Sequence, residues 1–325
     1  MTNREPLLSI VVPMYNAERY VEECVESLLA QTYRNIEYIF IDDCSHDGTL
    51  ASLRGVLERN PRGREARIIA HGTNLGLSAT RTEGIKKARG EYLISCDIDD
   101  YVEPNMAQDM LAAAEAAGSD IVVTSYFDKY PDRETAVKMP KGSGIDLNTI
   151  PINTLYLAVW NKMFRTAFLK KNNLLDYTDV NCWEDVAITA RAYAKAAVVT
   201  RLDTPYYHYR HANDGKSLTE QRQEVRLKDQ LACARFLDAR FADNGYSETY
   251  AGFLNHLKFS AKIKLLRGHN IDVRKWKNTF PETNRGILRY KCIPLKFRLA
   301  FFMVYLLPAK LTQAIADVVK YCGSA

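Results

Sequence analysis

The sequence has no C-x-x-C, and its seven cysteines, at positions 24, 44, 96, 182, 233, 292 and 322, are an odd number spread over the whole chain. Neither a zinc site nor a disulfide framework is indicated, which suits a reducing cytoplasm. It also lacks G-x-G-x-x-G, so a dinucleotide oxidoreductase would be missing its phosphate-binding turn. Long apolar runs are absent too: the longest, Leu299 to Pro308, is about half of the roughly 20 residues that span a bilayer. Met1 to Pro6 leads straight into a strand-like run and shows no signal-peptide pattern. Charge of one sign is scarce: 44 Lys and Arg against 39 Asp and Glu give a formal net charge of +5, too small a bias for a nucleic-acid-binding domain. With 47% hydrophobic and 10% aromatic residues among 325, the chain is not disordered and can build a core.

What is present is alternation. Leu8 to Pro13 is a continuous apolar run, and Val21, Cys24, Val25, Leu28 and Leu29 then recur at helical spacing. Strands are predicted at 36–41, 67–70, 92–95 and 121–125, with helices at 49–59, 78–89 and 105–117. Ser78 is the expected N-cap of the second of these helices, with Gly90 and Gly118 closing the second and third. Such βα repetition predicts an α/β fold, a doubly wound, mostly parallel sheet flanked by helices, with ligands beyond the carboxyl ends of the strands. Residues 130–151 read as an exposed connection and 183–197 as a helix. Beyond Gly215 the pattern becomes helical, with Leu227, Leu231, Ala234, Leu237 and Phe241 on one stripe. A boundary near 215 therefore separates a catalytic domain, 1–215, from a helical C-terminal extension, 216–325.

Acids collect where that fold expects ligands. Asp42 and Asp43 follow the second strand, Asp97, Asp99 and Asp100 the fourth, and Glu184 and Asp185 begin a later helix. Carboxylates crowded in one crevice repel one another unless a cation or hydrogen-bond donors compensate them. In Asp-x-Asp at a strand end, side-chain alternation points both carboxylates the same way, a hard oxygen set suited to Mg²⁺ or Mn²⁺ shared with phosphates. A solvated acidic turn is the bland alternative.

The segments S-I-V-V-P-M-Y-N, I-D-D-C-S-H-D-G-T, N-L-G-L-S-A-T-R, A-R-G-E-Y-L-I-S-C-D-I-D-D and W-E-D occur in that order, joined by A-V-W-N-K-M-F and Y-Y-H-Y-R. Together they resemble the family 2 glycosyltransferases of GT-A (Rossmann-like) fold, and in particular bacterial members that build surface polysaccharides. The resemblance implies an inverting transfer from a nucleotide-sugar, commonly a UDP-sugar, to a hydroxyl of a glycan or lipid-linked glycan, as in capsule, O-antigen or lipooligosaccharide synthesis, by a hexosyl- or N-acetylhexosaminyltransferase. It assigns Pro13, Tyr15 and Asn16 to the first donor loop, Asp43 to the base, and Arg81, Lys162 and Arg210 to the donor pocket, with Trp160 at its border. Asp97 and Asp100 serve the ribose and phosphates, and Asp99, with Asp97 and His211, the metal, Mn²⁺ or Mg²⁺. Asp185 is the expected general base and Glu184 the second candidate. Asp42 holds its turn, and His208, Arg210 and His211 form a tail segment over the diphosphate. For each residue an ordinary structural role competes: core packing for Tyr15 and Trp160, a surface ion pair for Arg81, a helix-start charge for Glu184 and Asp185.

From Thr283 to Ala316 there are six basic residues and no acid, so this stretch carries +6 and the remainder 5 − 6 = −1. Basic residues from Arg285 to Lys310 flank an apolar, aromatic run, the composition of an interfacial membrane helix. The protein is thus expected on the inner face of the cell membrane; the competing reading packs this segment on its own domain or on a second copy, making a homo-oligomer. Two rival functions are a catalytically silent membrane-attached scaffold, against which the intact acids argue, and a sugar-phosphate nucleotidyltransferase, whose glycine-rich first loop is replaced here by Pro13, Met14, Tyr15 and Asn16.

Overall fold

The computed structural model describes residues 5–139, 146–150, 154–177, 181–211, 223–266, 272–290 and 293–308. It divides into two compact units, Met1–Ile145 with Ala158–Gln221, and Asp146–Leu157 with Arg222–Ala325. Asp146–Leu157 therefore belongs with the second unit, a detour that a linear boundary near 215 does not contain; residues 212–222, around that boundary, lie outside the described residues.

The first unit runs β1 (Leu8–Met14), α1 (Glu18–Leu29), β2 (Ile36–Asp42), α2 (Thr49–Arg59), β3 (Ala66–Ala70), α3 (Leu77–Lys87), β4 (Tyr92–Ser95), β5 (Tyr101–Val102) and α4 (Met106–Ala117). It continues with β6 (Ile121–Lys129), β7 (Glu134–Val137), β8 (Lys162–Arg165), α5 (Thr166–Lys171), α6 (Glu184–Lys195) and β9 (Val199–Arg210). β1 and β2 are buried at every position, the burial of parallel strands covered on both faces. α1 buries the stripe read from the sequence. α4 stops at Gly118, whose φ of 65° only glycine adopts without cost.

The sheet order is β3-β2-β1-β4-β8-β6-β9-β5, with β7 added on β6. β3, β2, β1 and β4 are parallel; β8 enters antiparallel to both β4 and β6, so β6 and β9 resume the original direction. The sheet is mixed but mostly parallel. The loops after β1, β2 and β4 share one edge, and β9 ends there as well.

Three local readings change. Ser78 does not cap α3: the helix starts after Gly76, and Ser78 Oγ donates to Tyr177 O at 2.8 Å. Residues 134–137, read as connection, form β7, because Glu134 to Val137 pair antiparallel with Tyr126 to Lys129. The tail segment 207–210 is the end of β9, held between β6 and β5.

The second unit contains α7 (Gln223–Asp243), α8 (Ala251–Lys262), α9 (Val273–Asn278) and α10 (Leu295–Leu306), with 3-10 turns at Ile263–Leu266 and Pro281–Arg289. Leu231, Ala234, Leu237 and Phe241 are buried along α7, and Leu227 packs on a core built by Phe259, Leu266, Trp276, Ile287, Phe301 and Val304. Asn148 fastens the detour to α8, donating to Thr249 O and accepting from Phe253 N. Lys262 is buried yet satisfied, its ammonium donating to Thr279 O, Phe280 O and Asn284 Oδ1. No described helix is long and apolar enough to cross a membrane. Lys291 and Lys310, two of the basic residues of the tail, lie outside the described residues.

Candidate active site

The first loop starts where β1 stops. Pro13 is still inside the strand, buried and opposite Ile41, so it shapes the loop from below. Tyr15 follows with 40% of its surface exposed. Asn16 takes a φ of 47°, a left-handed conformation asparagine tolerates better than most residues. Its amide N–H donates to Ser45 Oγ and its Oδ1 accepts from His46 N at 2.8 Å, so Asn16 laces the first loop to the second and leaves Tyr15 as the free face.

In the second loop Asp42 holds the turn, accepting from Ser45 N and Ser45 Oγ. Asp43 is buried, and its oxygens are taken by protein donors: Leu75 N at 2.8 Å, Gly76 N at 2.7 Å and His71 Nδ1 at 2.8 Å. Burial opposes its ionisation, but these hydrogen bonds outweigh burial and hold the carboxyl below its ordinary range. The residue expected at the nucleobase thus braces residues 71–76. Gly76 is glycine for a reason: its φ is +88°, and a Cβ there would lie 2.2 Å from Asn181 Oδ1. His71, which the sequence did not single out, bridges Asp43 and Glu83.

β4 stops at Ser95, and a turn closed by Asp100 N to Asp97 O carries the acids. This turn, not strand alternation, brings them together. Arg81 reaches it from α3, buried, donating to Ser95 Oγ at 2.6 Å and Asp97 Oδ1 at 2.9 Å, and its Nη2 lies 3.4 Å from Glu184 Oε1. Burial alone would lower its proton affinity; the charges of Asp97 and Glu184 reverse that and raise it. Arg81 is a buried clamp rather than a surface ion pair. Asp100 is also spent on the protein, accepting from Tyr207 Oη at 2.7 Å and Arg210 N at 2.8 Å. Asp99 differs, because its side chain reaches solvent while protein crowds round it. That crowding, and next the Asp97 charge, push its carboxyl up to about 6.

Trp183, at a φ of 70°, takes a left-handed conformation that a bulky residue adopts only when its surroundings enforce it, and it pitches Glu184 and Asp185 into the first turn of α6. Burial pushes both carboxyls up, and the Glu184 charge adds to the rise at Asp185. Asp185 keeps a partly exposed side chain, with Oδ1 accepting from Val186 N.

Several expected residues are taken up by protein partners. Lys162 has no exposed surface; its ammonium donates to Ala158 O and Asn161 Oδ1, and burial, opposed by the charge of Asp185, lowers it to about 7. Trp160 is core, stacked on Tyr207 at 4.5 Å and Tyr209 at 5.2 Å. Arg210 pairs with Glu23 at 2.6 Å between the rings of Tyr20 and Tyr101. His208 is clamped by Glu103 and Glu134 and stacked on Tyr101 and Phe127. His211 bonds Asp128 at 2.6 Å and stacks on Tyr130, so its ring is already engaged by protein. Among the described residues no three His, Cys, Asp or Glu side chains form a metal-holding group. Asp97 and Asp99 nevertheless fit a hard cation: they are carboxylates of one turn, the Asp97 charge disfavours ionisation of Asp99 until a positive charge joins them, and Asp99 is exposed, leaving the remaining ligands to donor phosphates.

Tyr207 is the missed residue of most consequence, since its hydroxyl also accepts from Asp97 N at 3.1 Å and so orders both ends of the acidic turn. Period two along Y-Y-H-Y-R, which sets 207 and 209 on one face, was the available signal.

A mostly parallel sheet with acids at its carboxyl edge is common to many α/β enzymes; the sequence model of glycosyl transferase family 2 matches residues 9–181, more than half of the chain. The chain belongs to that family of glycosyltransferases. It is 37% identical over 226 residues to the uncharacterized glycosyltransferase EpsJ of Bacillus subtilis (strain 168), covering 66% of this chain and 63% of that protein. It is 27% identical over 262 residues to the poly(ribitol-phosphate) beta-N-acetylglucosaminyltransferase TarS of Staphylococcus aureus (strain Mu50 / ATCC 700699), covering 78% of this chain and 44% of that one. The chain thus spans less than two thirds of the length of either relative. The TarS crystal structure superposes with a TM-score of 0.69 at 23% identity, over 96% of this chain and 55% of TarS. TarS 1–349 in complex with UDP-GlcNAc gives 0.62 at 22%, over 92% and 89%. Mannosyltransferase PcManGT from Pyrobaculum calidifontis, in complex with GDP-Man and Mn²⁺, gives 0.54 at 15%, over 98% and 86%. These likenesses establish a GT-A-like fold.

Proposed function

We propose that this chain is an inverting, metal-dependent glycosyltransferase that moves a sugar from a UDP-sugar to a hydroxyl of a glycan or lipid-linked glycan in bacterial surface polysaccharide synthesis. The observation that carries this reading is the Arg81 guanidinium, which contacts Asp97 and Glu184 together and so draws the acidic turn after β4 and the acidic start of α6 to one place. The likeness to TarS, solved with UDP-GlcNAc, supports a UDP-sugar and an N-acetylhexosamine as the transferred group. A basic, apolar C-terminal segment supports a cytoplasmic, peripheral placement at the inner face of the cell membrane, where lipid-linked acceptors are presented.

In this reading Tyr15 stacks on the nucleobase with its exposed ring, Asn16 and Asp43 fix the loops around it, and Tyr207 keeps the acidic turn in register. Mn²⁺ or Mg²⁺, held by Asp99 and Asp97, would supply the positive charge that makes the diphosphate a better leaving group. Asp185 takes the proton of the acceptor hydroxyl as its oxygen attacks the anomeric carbon in line. The bond to the diphosphate breaks on the opposite face, the nucleoside diphosphate leaves with that electron pair, and the configuration inverts. A carboxylate whose proton affinity is raised by burial and by Glu184 is a better base than a solvated one.

Asp185→Asn tests the assignment. Transfer from UDP-sugars in the presence of Mn²⁺ is expected to fall by about 10²- to 10⁴-fold, while the rise in melting temperature on adding UDP stays as in the wild type. Wild-type turnover in that variant would remove Asp185 as the base.

A further inference from the structure

α10, L-K-F-R-L-A-F-F-M-V-Y-L, carries apolar residues on both its buried and its exposed side. Phe301 and Val304 are buried in the core of the second unit. At 3.6 residues per turn, Leu295, Leu299, Met303 and Leu306 fall within about 80° of one another on the opposite side. There they are 57%, 49%, 44% and 59% exposed. The same geometry puts Lys296 on one flank of this stripe and Arg298 on the other. Leu288, also exposed, lies beside the helix, its carbonyl accepting from Arg298 Nη1 at 2.6 Å. A helix with apolar residues on opposite sides is expected to be covered on both, by protein or by lipid, and among the described residues α10 is covered on one side only.

We propose that this stripe is a lipid-facing surface: α10 lies along an anionic bilayer with Leu295, Leu299, Met303 and Leu306 among the acyl chains and Lys296 and Arg298 at the phosphate headgroups. The proposal rests on the peripheral placement above and names its contact face. Length excludes spanning, since 12 residues make about 18 Å of helix against about 30 Å of hydrocarbon. Charge decides the occupant. From Thr283 to Pro308 the sequence has five basic residues and no acid. A second copy docking stripe to stripe would set Lys296 and Arg298 against their own equivalents, whereas anionic headgroups neutralise them. The aromatic residues Phe301 and Trp276, which composition alone would offer to lipid, are instead committed to the core.

Vesicle flotation of the full chain tests this, with phosphatidylcholine alone and phosphatidylcholine mixed with phosphatidylglycerol. The wild type is expected to float with the mixed vesicles. The double substitution Leu299→Glu, Met303→Glu is expected to weaken partition on the order of a hundredfold, two large apolar side chains being lost from the contact. Lys296→Glu with Arg298→Glu is expected to abolish the preference for phosphatidylglycerol. The UDP-induced rise in melting temperature, unchanged in both variants, reports intact folding. A wild type that floats with neither vesicle overturns the peripheral placement itself. A wild type and both variants that float alike overturn the face while the placement stands. A wild-type dimer that Leu299→Glu, Met303→Glu makes monomeric, with no flotation of either, makes the stripe a subunit contact and overturns the proposal.

Discussion

A guanidinium set against two carboxylates and a hydroxyl and shielded from water, as Arg81 is against Asp97, Glu184 and Ser95, is costly to bury and costlier to remove. Arg81→Met leaves Glu184 buried without its counter-charge and Asp97 without its donor. The expected loss of stability is about 3–5 kcal/mol, read by urea unfolding; a loss below about 1 kcal/mol would mean that solvent already screens the group. The same residue shows how far single positions were legible. Motif order picks out Arg81, Asp97 and Glu184 as candidates, yet that one side chain serves both acids is a fact of tertiary distance. Ser95 and His71 carry no local signal of their roles, and the alternation around Tyr207 gives its face but not its partners, because each earns its place by meeting a partner on another loop or strand. Lys162, conversely, has the residue type of a phosphate ligand and the burial of a core residue.

At the scale of elements, α3 lies so close to the sheet that a Cβ on Gly84 would sit 2.4 Å from Val11 Cγ1 and 2.5 Å from Ile41 Cδ1. Alanine is the better helix former by about 1 kcal/mol, but the overlap falls on side chains packed inside β1 and β2. Gly84→Ala is expected to be destabilising, by about 1–3 kcal/mol; an increase in melting temperature would show that the strands yield. β1, β2, β3, β4 and β6, with α1, α2 and α4, were legible because their apolar period is set by residues near in sequence. β7 was not, since its four residues are mostly exposed and it exists only by pairing with β6. β8 inserts between β4 and β6 in reverse, and β9 crosses two register shifts beside β6, choices that periodicity does not encode. Trp183 escaped for a related reason: nothing in its type announces a positive φ.

For the whole molecule, acidity acts on the second unit through His256. Burial holds that imidazole down at about 4, and it stacks on Tyr290. In the unfolded chain it titrates near 6.5, so below that pH the unfolded state binds a proton the folded state refuses. The contribution is complete above about pH 6.5 and is lost progressively as pH falls toward about 4. His256→Phe is expected to flatten the decline of melting temperature across that window; equal slopes in both proteins would refute it. Synthesis order gives β9 a further meaning. Its Tyr207 hydroxyl and Arg210 amide are what hold Asp100, and they leave the ribosome after every other residue of the site. Asp100 therefore gains its two hydrogen-bond donors only once β9 has been made, after every acid of the site is already part of the nascent chain.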